Sequence, residues 1–322
     1  MAIDESTRTS KKRFEAAGVE HTEENRRLYR QLLVTAPGAE KYISGYIMFD
    51  ETLRQKTDDG VPFPEVLSDR GILPGIKVDL GGVDFADHPG EKVTEGLDGL
   101  EDRLKEYVEL GAKFAKWRAI IAIGEGIPTE DCIRENAKNI ALYAKACQEA
   151  GIVPIIEPEV LIKGDHSIER SYEVHQQVLS KFFEELKNHD VYLEGAILKS
   201  SMVISGADAP DRADAETVAA ETVKCLKEHV PENLAGIVFL SGGQADEEAA
   251  LHLSLMNQID VDLPWPLTFS YGRAIQNPAM KIWSEDITKV KEAQAALVFR
   301  SKMNSLAAKG IYKEEMEEER PY

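Results

Sequence analysis

Cysteine is scarce in this chain. The three present in 322 residues, Cys132, Cys147 and Cys225, fall in helix-like segments without paired spacing. That argues against a disulfide framework or a zinc module and fits core filling in a reduced, cytoplasmic protein. The seven histidines make no HxH or HExxH pattern, so no metal centre is expected. No apolar run reaches membrane-spanning length, and no secretory leader is recognisable. Positive charge is also short: 38 bases against 57 acids leave a net charge of −19. Nucleic acid and anionic membrane are thereby disfavoured as partners. Any phosphate-bearing ligand has to be caught by local cations rather than by the global field.

Apolar residues make up 43% of the chain, enough for one large domain or two ordinary ones. Short β-branched runs alternate with longer amphipathic ones. The expected strands are Met1–Asp4, Tyr42–Phe49, Gly75–Asp79, Phe114–Ile120, Val153–Val160, Leu193–Lys199, Gly236–Leu240 and Leu267–Tyr271. Apolar stripes at helical spacing lie between them. Leu97, Leu100, Leu104 and Val108 are closed by Gly111, and Ala137, Ile140, Ala141, Ala144 and Cys147 by Gly151. Val174, Val178, Phe182 and Leu186 form a third stripe, and Val218, Thr222, Val223 and Leu226 a fourth. A fifth helix is expected over Asp246–Asn257. Strands and helices alternating in this way predict an α/β chain folded as a (β/α)₈ TIM barrel over residues 1–309. Its first strand is cut short, and an acidic tail over 310–322 is expected to be mobile.

Catalytic groups of a barrel stand at the C-terminal ends of its strands. Here those ends carry Asp4, Lys77, Lys116 with Arg118, Glu157 with Glu159, Lys199, Ser241 and Arg273. Strand side chains alternate, so Lys116 and Arg118 share a face, as do Glu157 and Glu159. Charges on the interior face are expensive unless paired or functional. Lys199 closes the apolar run Val191–Leu198; a desolvated amine beside another cation is freed to attack a carbonyl. The loops Leu240-Ser-Gly-Gly-Gln244 and Ser270-Tyr-Gly-Arg-Ala274 follow the last two strands. Glycine-rich turns at helix starts there are a recurrent phosphate site, and Arg273 adds a forked donor.

Eight segments, in order, carry a family resemblance. They are Asp4-Glu-Ser-Thr7, Thr22-Glu-Glu-Asn-Arg-Arg-Leu-Tyr-Arg-Gln-Leu32, Gly75-Ile-Lys-Val-Asp79, Phe114-Ala-Lys-Trp-Arg118, Glu157-Pro-Glu159, Leu193-Glu-Gly195, Phe239-Leu-Ser-Gly-Gly-Gln244 and Thr268-Phe-Ser-Tyr-Gly-Arg273. Over essentially its whole length the chain resembles the class I, Schiff-base fructose-1,6-bisphosphate aldolases. The resemblance implies a lyase cleaving fructose 1,6-bisphosphate to dihydroxyacetone phosphate and glyceraldehyde 3-phosphate, with no metal or other cofactor. Lys199 matches the Schiff-base amine and Lys116 the lysine beside it. Glu157 matches the acid/base of carbinolamine dehydration, and Glu159 a carboxylate of the same proton network. Asp4 matches the base on the C4 hydroxyl, Arg118 a residue that orients the cluster, and Tyr322 the terminal tyrosine that shuttles the C3 proton. Ser241, Gly242, Gly272, Arg273 and Arg13 resemble the C1 phosphate site; Lys77, Ser6 and Thr9 resemble the C6 phosphate site. The family also implies a homotetramer.

Four places depart from the family pattern. The N-terminal helix and fuller first strand expected before Asp4 are missing, Thr9 replaces a common serine, Ser200-Ser201-Met202 stands for Pro-Asn-Met, and the tail is short. Two other readings stay open: a related aldolase preferring fructose 1-phosphate or sedoheptulose 1,7-bisphosphate, and a non-catalytic scaffold.

Overall fold

The computed structural model describes residues 1–259 and 262–322. Its strands are β1 (Ala2–Ile3), β2 (Gly45–Met48), β3 (Leu73–Lys77), β4 (Gly81–Asp84), β5 (Lys92–Glu95), β6 (Phe114–Ile121), β7 (Val153–Val160), β8 (Ile197–Ser200), β9 (Gly236–Phe239) and β10 (Leu267–Phe269). Eight of them form one parallel sheet in the order β1-β2-β3-β6-β7-β8-β9-β10. The Ala2 N–H donates to Tyr271 O at 2.9 Å, joining the two edges into a TIM barrel. The first strand is only two residues long. It is nonetheless paired on both sides, with Ala2 and Ile3 opposite Ile47 and Met48.

The helices are α1 (Thr7–Ala16), α2 (Glu23–Val34), α3 (Asp50–Arg54), α4 (Phe63–Asp69), α5 (Leu100–Glu109), α6 (Glu130–Glu149), α7 (Ile168–Asn188), α8 (Ala215–His229), α9 (Asp246–Ile259), α10 (Arg273–Glu285) and α11 (Val290–Ala307). Side-chain caps start several of them. Ser6 Oγ accepts from Thr9 N at α1, and Thr22 Oγ1 from Asn25 N at α2. The stripes expected on α6, α7 and α8 are all buried. On α5 the inward face is turned: Tyr107 is buried and Val108 is exposed. The run Leu193–Lys199 is not strand throughout, because Leu193–Gly195 makes a 3-10 turn and β8 begins at Ile197.

Side-chain alternation builds the barrel interior in layers. Ala2, Ile47 and Ile155 pack with Phe114 and Ile197 into an apolar floor. The next inward residues, two positions further along, are Asp4 after β1, Lys116 on β6, Glu157 on β7 and Lys199 on β8. Outward residues such as Trp117, Ile156 and Leu198 join the main core beneath the helices. The hairpin of β4 and β5, which lies outside the sheet, fixes the chain after β3. Leu80 N donates to Glu95 O at 2.8 Å, and Thr94 Oγ1 donates to Arg118 O at 2.9 Å.

The acidic tail expected to be mobile is docked. Glu314–Glu319 forms a short 3-10 helix, and Glu317 is buried against Arg300 of α11. The three cysteines are free and buried. Among the described residues no helix is long and apolar enough to cross a membrane.

Room for Phe114 in the floor depends on β3. A β-carbon on Gly75 would stand 2.2 Å from the Phe114 ring. In a closed barrel that ring has nowhere to retreat, so Gly75→Ala should lower unfolding stability by about 1–3 kcal/mol. Adding Phe114→Leu should recover part of the loss. Urea denaturation midpoints measure both effects, and an unchanged midpoint for Gly75→Ala would contradict this packing account.

Candidate active site

At the C-terminal mouth of the barrel, buried lysines and carboxylates alternate. Lys116 is 2% exposed, Lys199 4% and Glu157 3%. Lys116 Nζ lies 2.7 Å from Asp4 Oδ2, 3.0 Å from Glu157 Oε2 and 3.9 Å from Asp79 Oδ2. Lys199 Nζ lies 3.0 Å from Glu157 Oε1. Glu157 is thus a bridge, with one oxygen toward each lysine. Its Oε2 is buried and off the hydrogen-bond direction of Lys116, leaving an acceptor without a hydrogen bond.

These charges hold one another ionised in a place that would otherwise neutralise them. Burial alone would raise the Asp4 carboxyl, but Lys116, Lys199 and Lys77 outweigh it and hold the group well below its ordinary value. Burial likewise opposes ionisation of Glu157, and Lys116, Lys199 and Arg118 reverse that. For Lys116 burial works against the ammonium, yet Asp4, Glu157 and Asp79 together raise its pKa. The lysine surrounded by three carboxylates is a fixed cation. Lys199, whose one paired carboxylate is shared, is placed to exchange a proton with it.

A second tier stands above this one. Arg118 Nε pairs with Glu159 Oε2. Asp79 was not singled out from the sequence, although Gly75, Lys77 and Asp79 alternate onto one face. It is 4% exposed. It accepts from Arg118 N at 3.2 Å and Gly81 N at 3.1 Å, and binds Lys77 at 2.6 Å. Lys77 is therefore tied to Asp79 rather than free. Ser201 stands two residues beyond Lys199 and meets a buried histidine. Its Oγ accepts from Val160 N at 3.1 Å and lies 2.9 Å from His175 Nε2. Burial holds His175 neutral, with its pKa lowered to about 4.

The two glycine loops come together beside this cluster. Gly242 and Gly243 have φ of 63° and 117°, a left-handed backbone that favours glycine. Ser241 is buried, and its carbonyl accepts from Gln244 N at 2.9 Å. The exposed Arg273 guanidinium lies over Gly243, where a β-carbon would come within 3.7 Å of it. Gly272 abuts β1, with Ala2 O 3.4 Å from the position of its missing β-carbon. Arg13 is engaged elsewhere, paired with Glu5 and donating to Gln276 Oε1 at 3.1 Å. Glu5 also binds Arg30 at 2.8 Å, so the residue next to Asp4 is clamped between two arginines. Ser6 and Thr9 sit at the N-terminus of α1, their hydroxyls 3.2 Å apart. Tyr322 packs edge-on against Phe299 on α11, with ring centroids 6.1 Å apart.

A family model described as fructose-bisphosphate aldolase class-I matches residues 1–321. A probable class 1 fructose-bisphosphate aldolase of Xanthomonas campestris is 57% identical over 314 residues, covering 97% of this chain and 94% of that protein. The cytosolic fructose-bisphosphate aldolase 4 of Arabidopsis thaliana is 50% identical over 313 residues, covering 97% of this chain and 80% of that one. Among solved structures, the fructose-bisphosphate aldolase of Plasmodium falciparum, determined in complex with TRAP and a small-molecule inhibitor, superposes with a TM-score of 0.95. It is 46% identical and covers 97% of this chain and 90% of its own.

Removing the central cation should leave Asp4 without its ion pair, and Asp79 and Glu157 with only Lys77 and Lys199. Lys116→Met is expected to lower stability by about 3–5 kcal/mol near neutral pH. In the native chain the two depressed carboxyls stabilise the fold above their ordinary values of 3.8 and 4.5, and that contribution is lost as pH falls through and below them. The gap between native and variant should therefore narrow as pH falls from about 4.5 to about 2. Urea melts at both pH values check this; a gap independent of pH would mean a packing defect instead.

Proposed function

The chain belongs to the class-I fructose-bisphosphate aldolase family, and from that premise we propose that Lys199 is the amine that captures the substrate ketone. The protein is an aldolase of glycolysis, a lyase that reversibly splits fructose 1,6-bisphosphate into dihydroxyacetone phosphate and glyceraldehyde 3-phosphate. The observation that carries the residue assignment is the shared carboxylate: Glu157 lies 3.0 Å from Lys199 and 3.0 Å from Lys116.

In this reading a proton passes from Lys199 Nζ to Glu157, and the neutral amine attacks C2 of the open-chain ketose. Glu157 returns the proton to the carbinolamine oxygen, which leaves as water. The iminium so formed draws electrons from the C3–C4 bond. Asp4 accepts the C4 hydroxyl proton as that bond breaks, releasing the aldehyde and leaving an enamine on Lys199. Protonation at C3 and hydrolysis then free dihydroxyacetone phosphate and restore the amine. Lys116 keeps Asp4 and Glu157 ionised when they must accept protons. Arg118 and Glu159 hold the upper rim of the cluster.

The two substrate phosphates are assigned to opposite sides of this centre. Ser241 and Gly242, with Gly272 and Arg273, receive the C1 phosphate at the head of α9 and α10, where the exposed Arg273 guanidinium lies over Gly243. Ser6 and Thr9 at the start of α1, together with Lys77, receive the distal phosphate, which requires Lys77 to exchange Asp79 for the ligand. Arg13 reaches the C1 phosphate only by leaving Glu5. Holding both ends fixes the ketone over Lys199, an orientation worth several kcal/mol of the barrier, on the order of effective-molarity gains. Residues 1–309 are assigned as the catalytic domain and 310–322 as an appended segment. In its docked position Tyr322 has no role in the chemistry; delivering it to C3 requires the tail to undock. Cytoplasmic placement is proposed by analogy with the cytosolic relatives, and a homotetramer from the family.

Lys199→Met should abolish cleavage of fructose 1,6-bisphosphate, lowering kcat by about 10⁴-fold or more while the fold persists. Turnover of the native chain should be unaffected by a chelator. Retained cleavage in the variant would overturn the assignment, and chelator-sensitive turnover would overturn the metal-free mechanism.

A further inference from the structure

One buried arginine ties the C-terminal segment to the head of α9. Arg300, on α11, is fully buried, and its Nη1 donates to both oxygens of Glu317 at 2.6 Å. Its Nη2 donates to the backbone carbonyl of Asp246, the first residue of α9, at 3.0 Å. Tyr312 Oη donates to Glu317 Oε1 at 3.0 Å and Arg320 Nε to Glu317 Oε2 at 3.0 Å. Arg320 pairs with Glu247 as well. The tail therefore grips Glu247 directly through Arg320 and Asp246 indirectly through Arg300.

That turn immediately follows the Ser241-Gly-Gly243 loop and is fastened to it. Gln244 donates to Ser241 O from its backbone N at 2.9 Å and from Nε2 at 3.0 Å. His252, one helical stretch further on, holds Gln244 Oε1 at 2.7 Å. A shift at the head of α9 passes directly to Ser241. The same turn carries three acids, Asp246, Glu247 and Glu248. They suit the helix dipole, but they place negative charge beneath a loop assigned to phosphate. Glu248 is paired with Arg212 at 2.8 Å and Glu247 with Arg320; Arg300 attracts the Asp246 carboxyl, but burial outweighs it and raises that group's pKa to about 6.

We propose that Glu317 is a positioning residue for the phosphate loop: through Arg300 it fixes the head of α9 and so holds Ser241 and Gly242 in the conformation that receives the C1 phosphate of the ketose. This rests on the assignment of that loop made above. A docked tail thereby tunes substrate affinity without touching substrate.

Glu317→Gln tests the claim in the full-length protein, because geometry and charge pull in opposite directions. The variant loses one negative charge, which by itself favours binding of an anion. Loss of positioning should instead raise KM for fructose 1,6-bisphosphate about fivefold or more, with kcat within about twofold. Competitive inhibition by inorganic phosphate should weaken in parallel. Tyr312→Phe, which removes one bond to Glu317 and no charge, should raise KM in the same direction by a smaller factor. A lowered melting temperature with unchanged KM in both variants would make the contact merely structural and overturn the proposal. Ser241→Ala separates the two layers of the claim. If it raises KM while Glu317→Gln does not, only the latch fails; if it leaves KM unchanged, the loop assignment fails and the latch with it.

Discussion

Everything at the mouth of this barrel depends on one ammonium held among three carboxylates. Lys116 lies 2.7 Å from Asp4, 3.0 Å from Glu157 and 3.9 Å from Asp79. In a desolvated site Asp4 and Glu157 would otherwise take up protons, and a neutral acid cannot serve as a base. The same ion leaves Glu157 shared, so that its second oxygen faces Lys199. In the proposed mechanism, proton traffic between Lys199 and its carboxylate is thus built on a charge that itself does not move.

The fold supplies that arrangement cheaply because it follows from register. In a parallel barrel, residues two positions along each strand form the next interior layer. The apolar floor of Ala2, Ile47, Phe114, Ile155 and Ile197 places the charged tier above it with no further specification. The floor excludes water from below, which strengthens every ion pair above. The hairpin of β4 and β5 fixes the turn carrying Asp79, and the Ala2–Tyr271 hydrogen bond brings Asp4 round to meet Lys116. Asp4 depends on a two-residue strand, and the clamp of Glu5 between Arg13 and Arg30 compensates for its shortness by anchoring the next residue.

Much of this was legible in the sequence. Alternation exposed Lys116 with Arg118 and Glu157 with Glu159, and all four lie where the period of two puts them. β7 runs over the residues expected of it. What escaped has physical reasons. Helix α11 is buried around most of its circumference, so it shows no single apolar stripe. Helix α1 buries only Ser10 and Phe14 and gives almost no apolar signal. Asp79 lies past the end of β3; it keeps the period of Gly75 and Lys77, but the Arg118 and Gly81 N–H groups that hold it are set only by the fold. The tail looked mobile because its acids read as a solvated run; burial of Glu317 depends on Arg300, which is close only in the folded chain. The commitments of Lys77 to Asp79 and of Arg13 to Glu5 are likewise partnerships between groups whose types, not pairings, are written in the sequence.

The most direct test is to catch the covalent intermediate. The full chain is incubated with dihydroxyacetone phosphate, reduced with borohydride, digested and mapped by mass spectrometry. A secondary amine adduct confined to the peptide that contains Lys199 is predicted. An unmodified Lys199, or an adduct on Lys116 in its place, would contradict the division of labour between the mobile proton and the fixed charge.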